Sequence, residues 1–308
     1  MWSTNLSAQD LQVHSSVRID PLQQSLHFET SDFGVARTYS SQSNFVGLFG
    51  VGWCSELDVR VEIYIDQSYR LRGCDPQDGR SLDPRAADSG LQKTVSGFER
   101  TRADEAREVF SAQGDLLRIE NRRFGRLELR RSTIQERSRW ALRIDNQPEL
   151  RLDLNVEGRV QSWDSMQFTY KGDELIGWQQ TGRERVELAY DRWSNLRHWS
   201  KWTPTQRETG EIDYDLPRDE VKAFVREVGA HRQELRIRRV PANNQEKILE
   251  WKRGSETNPA RILYDNIKGP LDVRGSAQAL ESLLEQIREP RSSLRRPTDP
   301  ITTTRKEL

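Results

Sequence analysis

Apolar and polar residues alternate with a period of two along most of the chain. The alternation is clearest in the segments 57–63, 127–129, 150–156, 186–190 and 235–237. One side of each segment is apolar and the other carries Arg, Glu or Asp, which is typical of half-buried antiparallel strands. Turn sequences that contain glycine separate many of these segments. The pattern therefore predicts an all-β fold, an antiparallel β-meander of short strands.

A helical period occurs only near the end of the sequence. Apolar residues between 280 and 287 are spaced i, i+3, i+4 and i+7, which places them on one face of a helix. Ser276 is a suitable N-cap, and Pro290 ends the pattern. The spacing predicts a helix over 276–289, followed by a disordered tail.

Composition narrows the classes of protein and partner. The chain has 308 residues, with 48 Lys and Arg against 48 Asp and Glu. Zero net charge argues against a nucleic-acid partner, which a basic excess would attract. No apolar run approaches the ~18 residues that a spanning helix needs, so we expect no transmembrane segment. The mean hydropathy of −0.86 favours a thin architecture over a thick multilayer core.

Arginine dominates the basic residues, with 40 Arg against 8 Lys. A guanidinium forms bidentate forks with carboxylates and stacks on aromatic rings, and an ammonium does neither well. We therefore expect Arg opposite Glu or Asp on neighbouring strands, on the face of the sheet that lies away from the aromatic residues.

Aromatic residues recur at regular intervals between residues 158 and 202. Tyr170 and Tyr190 are roughly 20 residues apart, and so are Trp178 and Trp199. Each unit is a strand that ends in an aromatic residue, a turn, and a strand that carries Leu or Val with Trp. Because one hairpin cannot bury its apolar face alone, successive hairpins are expected to extend one sheet.

This repeat resembles the unit of the RHS-repeat, or YD-repeat, family. The family's unit has a Tyr-Asp pair, a turn with Gly and a strand that contains Leu. Tyr190, Asp191 and Leu196 match it, with Ser194 where the family usually has Gly, and Tyr170 ends the preceding copy. Degenerate further copies begin at Tyr214 and Tyr264.

A second segment resembles the block that precedes the repeats in bacterial members of the family. It comprises the run from Arg37 to Ser41 and the glycine-rich run from Gly47 to Trp53. In that family the repeats build a spiralling strip of β-sheet, which large members close into a hollow shell around a C-terminal cargo. Fewer repeats are present here, so the resemblance implies an open curled sheet or a short wrap, without a toxin domain.

These patterns divide the chain into five regions. We expect an N-terminal extension at 1–25, an RHS-like opening block at 26–82 and a charged loop at 83–107. The β-repeat region follows at 108–270, and the helix with its tail occupies 271–308.

Cys54 and Cys74 are the two cysteines of the chain. They are either two unrelated buried thiols or one disulfide. We favour the disulfide, because both flank strand-like runs that a hairpin near residues 66–68 would bring together. A disulfide implies an oxidising compartment, hence the periplasm, the cell surface or secretion. A cytoplasmic protein is the alternative, since residues 1–25 lack the apolar region of a signal peptide.

Catalytic and cofactor motifs are not apparent in the sequence, and we expect neither a metal nor another cofactor. Trp193 and Trp202 are the candidate binding residues, because aromatic side chains on a sheet edge stack on sugar rings or partner side chains. The alternative is that the tryptophans pack the sheet, which we expect for Trp163, Trp178 and Trp199.

Two function hypotheses follow. The first is a non-enzymatic β-repeat scaffold or binding protein, exported or surface-associated in a bacterium, that binds a protein or a glycan. The second is an enzyme that acts on glycans through dispersed carboxylates in a concave face. That chemistry needs two carboxyl groups about 5–10 Å apart.

Overall fold

The computed structural model of this chain describes thirteen ranges, in which the regular secondary structure is all β-strand. They are 14–20, 24–32, 35–75, 81–82, 90–102, 104–122, 125–134, 137–145, 147–215, 220–240, 243–254, 259–265 and 269–275. The all-β antiparallel prediction is confirmed across this part of the chain. The helix predicted over 276–289 and the tail after it lie outside the described residues.

The first eight strands form what we call the N-terminal unit. Strands β1, β2, β3 and β6 pair in that order, and β4–β5 and β7–β8 are two separate hairpins. Strand β1 pairs with β2 over its whole length, so the unit begins before the predicted boundary at residue 26. The bounds are β1 His14–Asp20, β2 Ser25–Asp32, β3 Val35–Ser40, β4 Val46–Gly47, β5 Gly50–Val51, β6 Trp53–Ser55, β7 Arg60–Ile63 and β8 Tyr69–Arg72.

The remaining strands form one long antiparallel meander, which we call the repeat sheet, and each strand pairs with its successor in the chain. The bounds are β9 Leu91–Thr94, β10 Gly97–Thr101, β11 Arg107–Ser111, β12 Leu116–Asn121, β13 Gly125–Ile134, β14 Arg137–Ile144, β15 Leu150–Leu154, β16 Val160–Trp163, β17 Met166–Lys171, β18 Glu174–Gln180, β19 Glu184–Tyr190, β20 Leu196–Trp202, β21 Arg207–Asp215, β22 Glu220–Val228, β23 His231–Val240, β24 Asn243–Arg253, β25 Ala260–Asp265 and β26 Gly269–Arg274.

The prediction of a charged loop at 83–107 is wrong for residues 91–101. Strands β9 and β10 lie there and add to the edge of β11. The alternation of apolar and polar residues is weak here, because the buried hydrophobic residues of these strands are Leu91 and Phe98 alone among the described side chains. The charges that suggested a loop pair with each other, and Arg100 donates to the buried Glu108 at 3.1 Å.

The repeat sheet curls around the N-terminal unit. The Val61 amide donates to the Gly114 carbonyl at 2.8 Å, and the Val221 amide donates to the Gln24 carbonyl at 2.6 Å. Gly114 precedes β12, and Val221 lies in β22, about ten strands later. In a flat sheet, strands that far apart would be separated by ~48 Å. A unit of this length has a radius of gyration of roughly 11 Å. It touches both places because the sheet bends around it.

A single hydrophobic core joins the two parts. Phe28, Phe49 and Trp53 of the N-terminal unit belong to the same buried cluster as the tryptophans of the repeat sheet. Trp163, Trp178 and Trp199 are at most 2% exposed, which confirms their sheet-packing role. We call the side of the repeat sheet that carries these residues the inner face.

Ion pairs between neighbouring strands follow the predicted pattern. Each joins an Arg to a Glu or Asp, at N–O distances of 2.5 to 3.4 Å: Arg107–Glu99, Arg139–Asp153, Arg226–Glu208 and Arg238–Glu250. Most of these side chains are partly exposed, so solvent screens the pairs and each adds little to stability. The arginine excess of the composition is therefore used in ladders between strands.

Cys54 and Cys74 form a disulfide, with Cα atoms 5.9 Å apart. Both residues are buried. Cys54 lies in β6, and Cys74 follows the β7–β8 hairpin, which turns at residues 64–68. The bond thereby ties the base of this hairpin to the four-stranded sheet of the N-terminal unit.

Replacing Gly114 with alanine is expected to loosen the N-terminal unit from the repeat sheet. A Cβ atom there would lie 1.9 Å from the Val61 carbonyl oxygen, and the residue has φ +89°. Gly158 is a matched control, because it has φ +79° with no atom within 4 Å of the added Cβ. We expect Gly158→Ala to lower the free energy of unfolding by about 1–2 kcal/mol, through backbone strain alone. Gly114→Ala should cost clearly more in urea denaturation, and equal losses would contradict this packing.

Candidate functional site: the interface between the N-terminal unit and the repeat sheet

One turn geometry recurs along the edge of the repeat sheet. Asp191 Oδ1 accepts the amides of Trp193 and Asn195 at 2.9 and 3.0 Å, which closes the turn between β19 and β20. Asn155 Oδ1 accepts the amides of Glu157 and Arg159 in the same way, at 3.1 and 2.8 Å. Short polar side chains stabilise such turns by replacing a main-chain acceptor.

The same turn is present earlier in the chain, where the amino-acid pattern shows little sign of a repeat. Ser111 Oγ accepts the amides of Gln113 and Asp115 at 3.2 and 3.1 Å. Three residues after each capping side chain the backbone has positive φ, at Gly114, Gly158 and Ser194. Ser194 therefore occupies the backbone conformation for which the family's glycine is suited. The shared pattern is a polar cap, two free positions, a left-handed residue and, two residues on, a Leu or Val.

Tyrosine hydroxyls link each repeat to the one before it. Tyr170 donates to the Val160 carbonyl at 2.8 Å, and Tyr190 donates to the Leu175 carbonyl at 2.9 Å. Tyr214 donates to the Leu196 carbonyl at 3.0 Å. The pairing register shifts just before each of these tyrosines, so a bulge accompanies every link. Bulges re-aim a side chain, here toward the preceding strand.

Burial keeps these hydroxyls protonated. It raises the pKa of Tyr170, Tyr190 and Tyr214 above the ordinary tyrosine value. Each therefore remains a hydrogen-bond donor at any physiological pH. The repeat motif predicted from the sequence comprises Tyr170, Tyr190, Asp191 and Leu196. These residues belong to the turns and strands of the sheet and to the links between its repeats.

Arg37 lies at the centre of the interface. Its side chain is 0% exposed and lies on β3, on the same face as Val35 and Tyr39, where the alternation would place an apolar residue. The guanidinium carbon is 4.3 Å from the ring centroid of Trp178 and 4.9 Å from that of Phe168. A guanidinium over aromatic faces is stabilised by about 0.5–2 kcal/mol per contact.

The N-terminal unit contributes the other aromatic walls around Arg37. The guanidinium is 4.8 Å from the ring of Phe49 and 5.6 Å from that of Trp53. Phe28 contacts Trp178 and Trp199 edge-on at 6.0 and 5.6 Å. The site is therefore shared, with rings from both parts of the chain around one cation.

Hydrogen bonds position the two parts relative to each other. The Tyr39 hydroxyl accepts the Leu196 amide at 2.9 Å and donates to the Ser194 carbonyl at 3.1 Å. Trp53 Nε1 donates to the Tyr190 hydroxyl at 3.1 Å. Residues of the opening block thus bind directly to the turn and the tyrosine of the repeat.

A cleft of about 790 Å³ borders the interface, between the β7–β8 hairpin and the turns of the repeat sheet. Asp58 lines it and accepts the Leu48 amide at 2.6 Å and the Ser55 amide and hydroxyl at 2.8 and 2.6 Å. Burial raises the pKa of Asp58 to about 6, against the lowering effect of these hydrogen bonds. Its carboxylate orders the loop that carries Leu48.

The two tryptophans proposed for binding lie at opposite ends of β20. Trp193 is 45% exposed in the turn before this strand, with the Arg192 guanidinium 3.9 Å from its ring. Trp202 ends the strand and lies 5.5 Å from the guanidiniums of both Arg185 and Arg207. Six residues of strand separate the two ends, or about 20 Å. The structure therefore does not bring them into one site.

Sequence reasoning missed Arg37 as the centre of the site. Its position within an alternating strand was visible, but a lone arginine there predicts a solvent-facing residue. The dense aromatic content was the available signal, because a buried cation needs aromatic or anionic neighbours.

Membrane-spanning helices and metal clusters are both absent from the described residues. No helix in this part of the chain is long and apolar enough to cross a membrane. In the same residues, His, Cys, Asp and Glu form no group of three or more suited to holding a metal ion.

Removing the Tyr190 hydroxyl is expected to destabilise the protein more than removing that of Tyr170. Tyr190→Phe leaves both Trp53 Nε1 and the Leu175 carbonyl without this partner, whereas Tyr170→Phe affects only the Val160 carbonyl. We expect losses of about 2–4 and about 1–2 kcal/mol, respectively. Urea denaturation measures both, and equal losses would contradict the link between Trp53 and the repeat.

Asp58 should make stability fall as the pH rises. Because its pKa is raised from 3.8 to about 6, the folded state holds the proton more tightly than the unfolded state. Its contribution is present below about pH 4 and is lost as the pH passes 6, by up to about 3 kcal/mol. The stability difference between wild type and Asp58→Asn should therefore favour wild type more at pH 4 than at pH 7. The exposed Asp66, whose pKa Ser68 lowers, is the control, and Asp66→Asn should shift the difference the opposite way.

Comparison with known proteins gives one family match and one structural match to report. A family model described as "Domain of unknown function (DUF6531)" matches residues 25–83, close to the opening block predicted at 26–82. No curated protein matches the chain. Among solved structures, one described as "Crystal Structure of TcdB2-TccC3-TEV" is similar at 12% identity and a TM-score of 0.25, over 82% of this chain and 17% of that one. The chain thus spans under a fifth of that structure's length.

Proposed function

We propose that the chain is a non-enzymatic β-repeat scaffold of the RHS or YD type, which binds a protein or a glycan. The observation that carries this proposal is the interface itself. The repeat sheet curls around a folded polypeptide unit and holds it through aromatic rings, a buried arginine and main-chain hydrogen bonds. A sheet that already packs around one polypeptide on its inner face has a shape and a chemistry suited to binding protein.

The regular edge turns support the same proposal. Their caps, positive-φ residues and tyrosine links repeat with changing surface residues at the two free positions. At these positions Trp193 and Val156 are exposed, at 45% and 88%. A constant frame with variable exposed residues is the arrangement that repeat proteins use for binding.

The enzyme hypothesis has weaker support in the cleft. Glu62 is bound by Arg60 and Arg72, each at 2.8 Å, and Asp115 is bound by Arg131. Asp58 accepts one hydrogen bond from the Leu48 amide and two from Ser55. Carboxylates engaged in this way are poorly placed to act as nucleophile or proton donor. Glu157 is the remaining acidic side chain of the lining.

Export to the periplasm, the cell surface or the medium is part of the proposal. A buried disulfide that ties the N-terminal unit together favours an oxidising compartment over the cytoplasm.

Binding and turnover assays with the purified full chain distinguish the two hypotheses. Extracts of the native organism and arrayed glycans supply the candidate ligands. A scaffold should form a saturable complex of fixed stoichiometry, measured by light scattering, and leave the ligand's mass unchanged. Glycan binding that involves the tryptophans should weaken in Trp193→Ala or Trp202→Ala separately, because the two lie far apart. Release of sugar that Glu157→Gln or Asp115→Asn abolishes would overturn the scaffold in favour of the enzyme.

A further inference from the structure

The outer face of the β7–β8 hairpin carries an unusual surplus of arginine. Arg60 and Glu62 alternate with the buried Val61 on β7, and Arg70 and Arg72 alternate with the buried Leu71 on β8. Arg60 lies directly opposite Arg72, and Glu62 lies opposite Arg70. Like charges opposed across a strand pair are destabilising by themselves. The arrangement therefore calls for an explanation beyond folding.

One carboxylate serves two of the three guanidiniums. Glu62 Oε1 accepts from both Arg60 and Arg72 at 2.8 Å, and the bond from Arg72 holds the pKa of Glu62 below its usual range. Arg70 is exposed, and its charge acts on Asp66 in the turn of the hairpin. Three cations against the two anions Glu62 and Asp66 leave this hairpin with a net positive charge. Each guanidinium has five N–H groups, so most of their donors remain available to an anion.

The hairpin is held firmly enough to act as a preformed surface. The Val61 amide binds the Gly114 carbonyl, and the ring of Tyr69 contacts that of Phe98 at 4.9 Å. The Cys54–Cys74 disulfide fixes its base. Rigid surfaces bind with a smaller ordering cost than flexible ones.

This face forms one wall of the 790 Å³ cleft, and the cleft also offers apolar surface. Tyr64 and Val46 line it and are 43% and 51% exposed, and the Arg70 guanidinium lies 6.0 Å from the Tyr64 ring. On the opposite wall, Arg131 covers the Trp140 ring at 4.4 Å. The cleft thus combines exposed cations with a small exposed apolar area.

We propose that this cleft binds an extended acidic polypeptide segment of a partner protein, whose alternate Glu or Asp side chains pair with Arg70 and Arg72 and whose apolar side chains contact Tyr64 and Val46. The inference rests on the proposed scaffold function and names the chemistry of its partner. Arg70 and Arg72 are two residues apart on one face, which corresponds to a spacing of about 6.6–6.8 Å. Alternate side chains of an extended peptide have the same spacing, so the two match residue for residue.

A polypeptide fits this cleft better than a nucleic acid or an acidic polysaccharide. A polyanion of either kind would pair with the arginines but would leave Val46 exposed to solvent. The cleft also contains Asp58, Asp115 and Glu157, which a uniformly charged polymer would approach closely. A peptide places its charges at selected positions and turns other side chains away from them.

The test uses the full chain and fluorescence anisotropy of a fluorescein-labelled peptide that repeats Glu-Val-Glu-Thr. The peptide should bind, with an affinity that falls as salt rises. Replacing both Arg70 and Arg72 with alanine should weaken binding about tenfold, and Tyr64→Ser about threefold. Arg236→Ala is the matched control, since it removes an exposed arginine that, like Arg72, pairs with a glutamate but does not line the cleft, and it should leave affinity unchanged.

Several results would overturn the proposal. The first is that the double arginine variant binds the acidic peptide with the same affinity as the wild type. The second is that a peptide that repeats Lys-Val-Lys-Thr binds as tightly as the acidic peptide. The third is that heparin binds more tightly than the acidic peptide and depends on the same arginines. The partner complex from the assays above separates this inference from the scaffold function. If the double variant forms that complex with unchanged affinity, the scaffold stands and the cleft inference fails.

Discussion

A sheet of single thickness has no core of its own, and this constraint governs the whole molecule. The strands of the repeat sheet present apolar residues on the inner face, and within the described part of the chain no second layer of the repeat covers them. The N-terminal unit supplies that layer. It brings Phe28, Phe49 and Trp53 against the sheet's tryptophans and places Arg37 among the rings. Removing either part would expose the other's aromatic face, so the two are expected to fold as one cooperative body.

The buried arginine explains how so crowded an aromatic interface can be specific. Apolar packing alone tolerates many arrangements of similar volume. A guanidinium that lies over the rings of Phe168 and Trp178 has far fewer satisfactory positions, because its plane and its charge both need matching surfaces. Arg37 thereby fixes the position in which β3 packs against the repeat sheet. A buried polar group fixes the alignment of the helices in a coiled coil in the same way. Tyr39 and Trp53 reinforce the packing against the repeat sheet through directed hydrogen bonds.

Much of the fold could be predicted from the sequence because the inner and outer faces of the sheet differ sharply in polarity. The period-two alternation gave the strands, and Tyr190 with Asp191 gave the repeat geometry. The strands at Leu91–Thr94 and Gly97–Thr101 were missed, since paired charges there obscured two apolar anchors. The turn at residues 111–115 was not identified as a copy of the repeat, because serine caps it in place of aspartate. The site at Arg37 depends on contacts between segments more than 100 residues apart in sequence, as from Arg37 to Phe168, and no local pattern encodes them.

Arginine has two distinct uses here, and together they account for its excess over lysine. On the outer face it links strands through carboxylates, as Arg139 does with Asp153 and Arg226 with Glu208. In the interior it replaces an apolar residue, as at Arg37. The β7–β8 hairpin goes beyond these two uses, because Arg60 and Arg72 share the single carboxylate of Glu62, Arg70 adds a further charge, and none of the three is buried. Arginine in excess of the carboxylates adds charge repulsion to the folded state. Such a cost is retained where the charge meets something outside the chain, which favours a binding surface on this hairpin over one on the ladders.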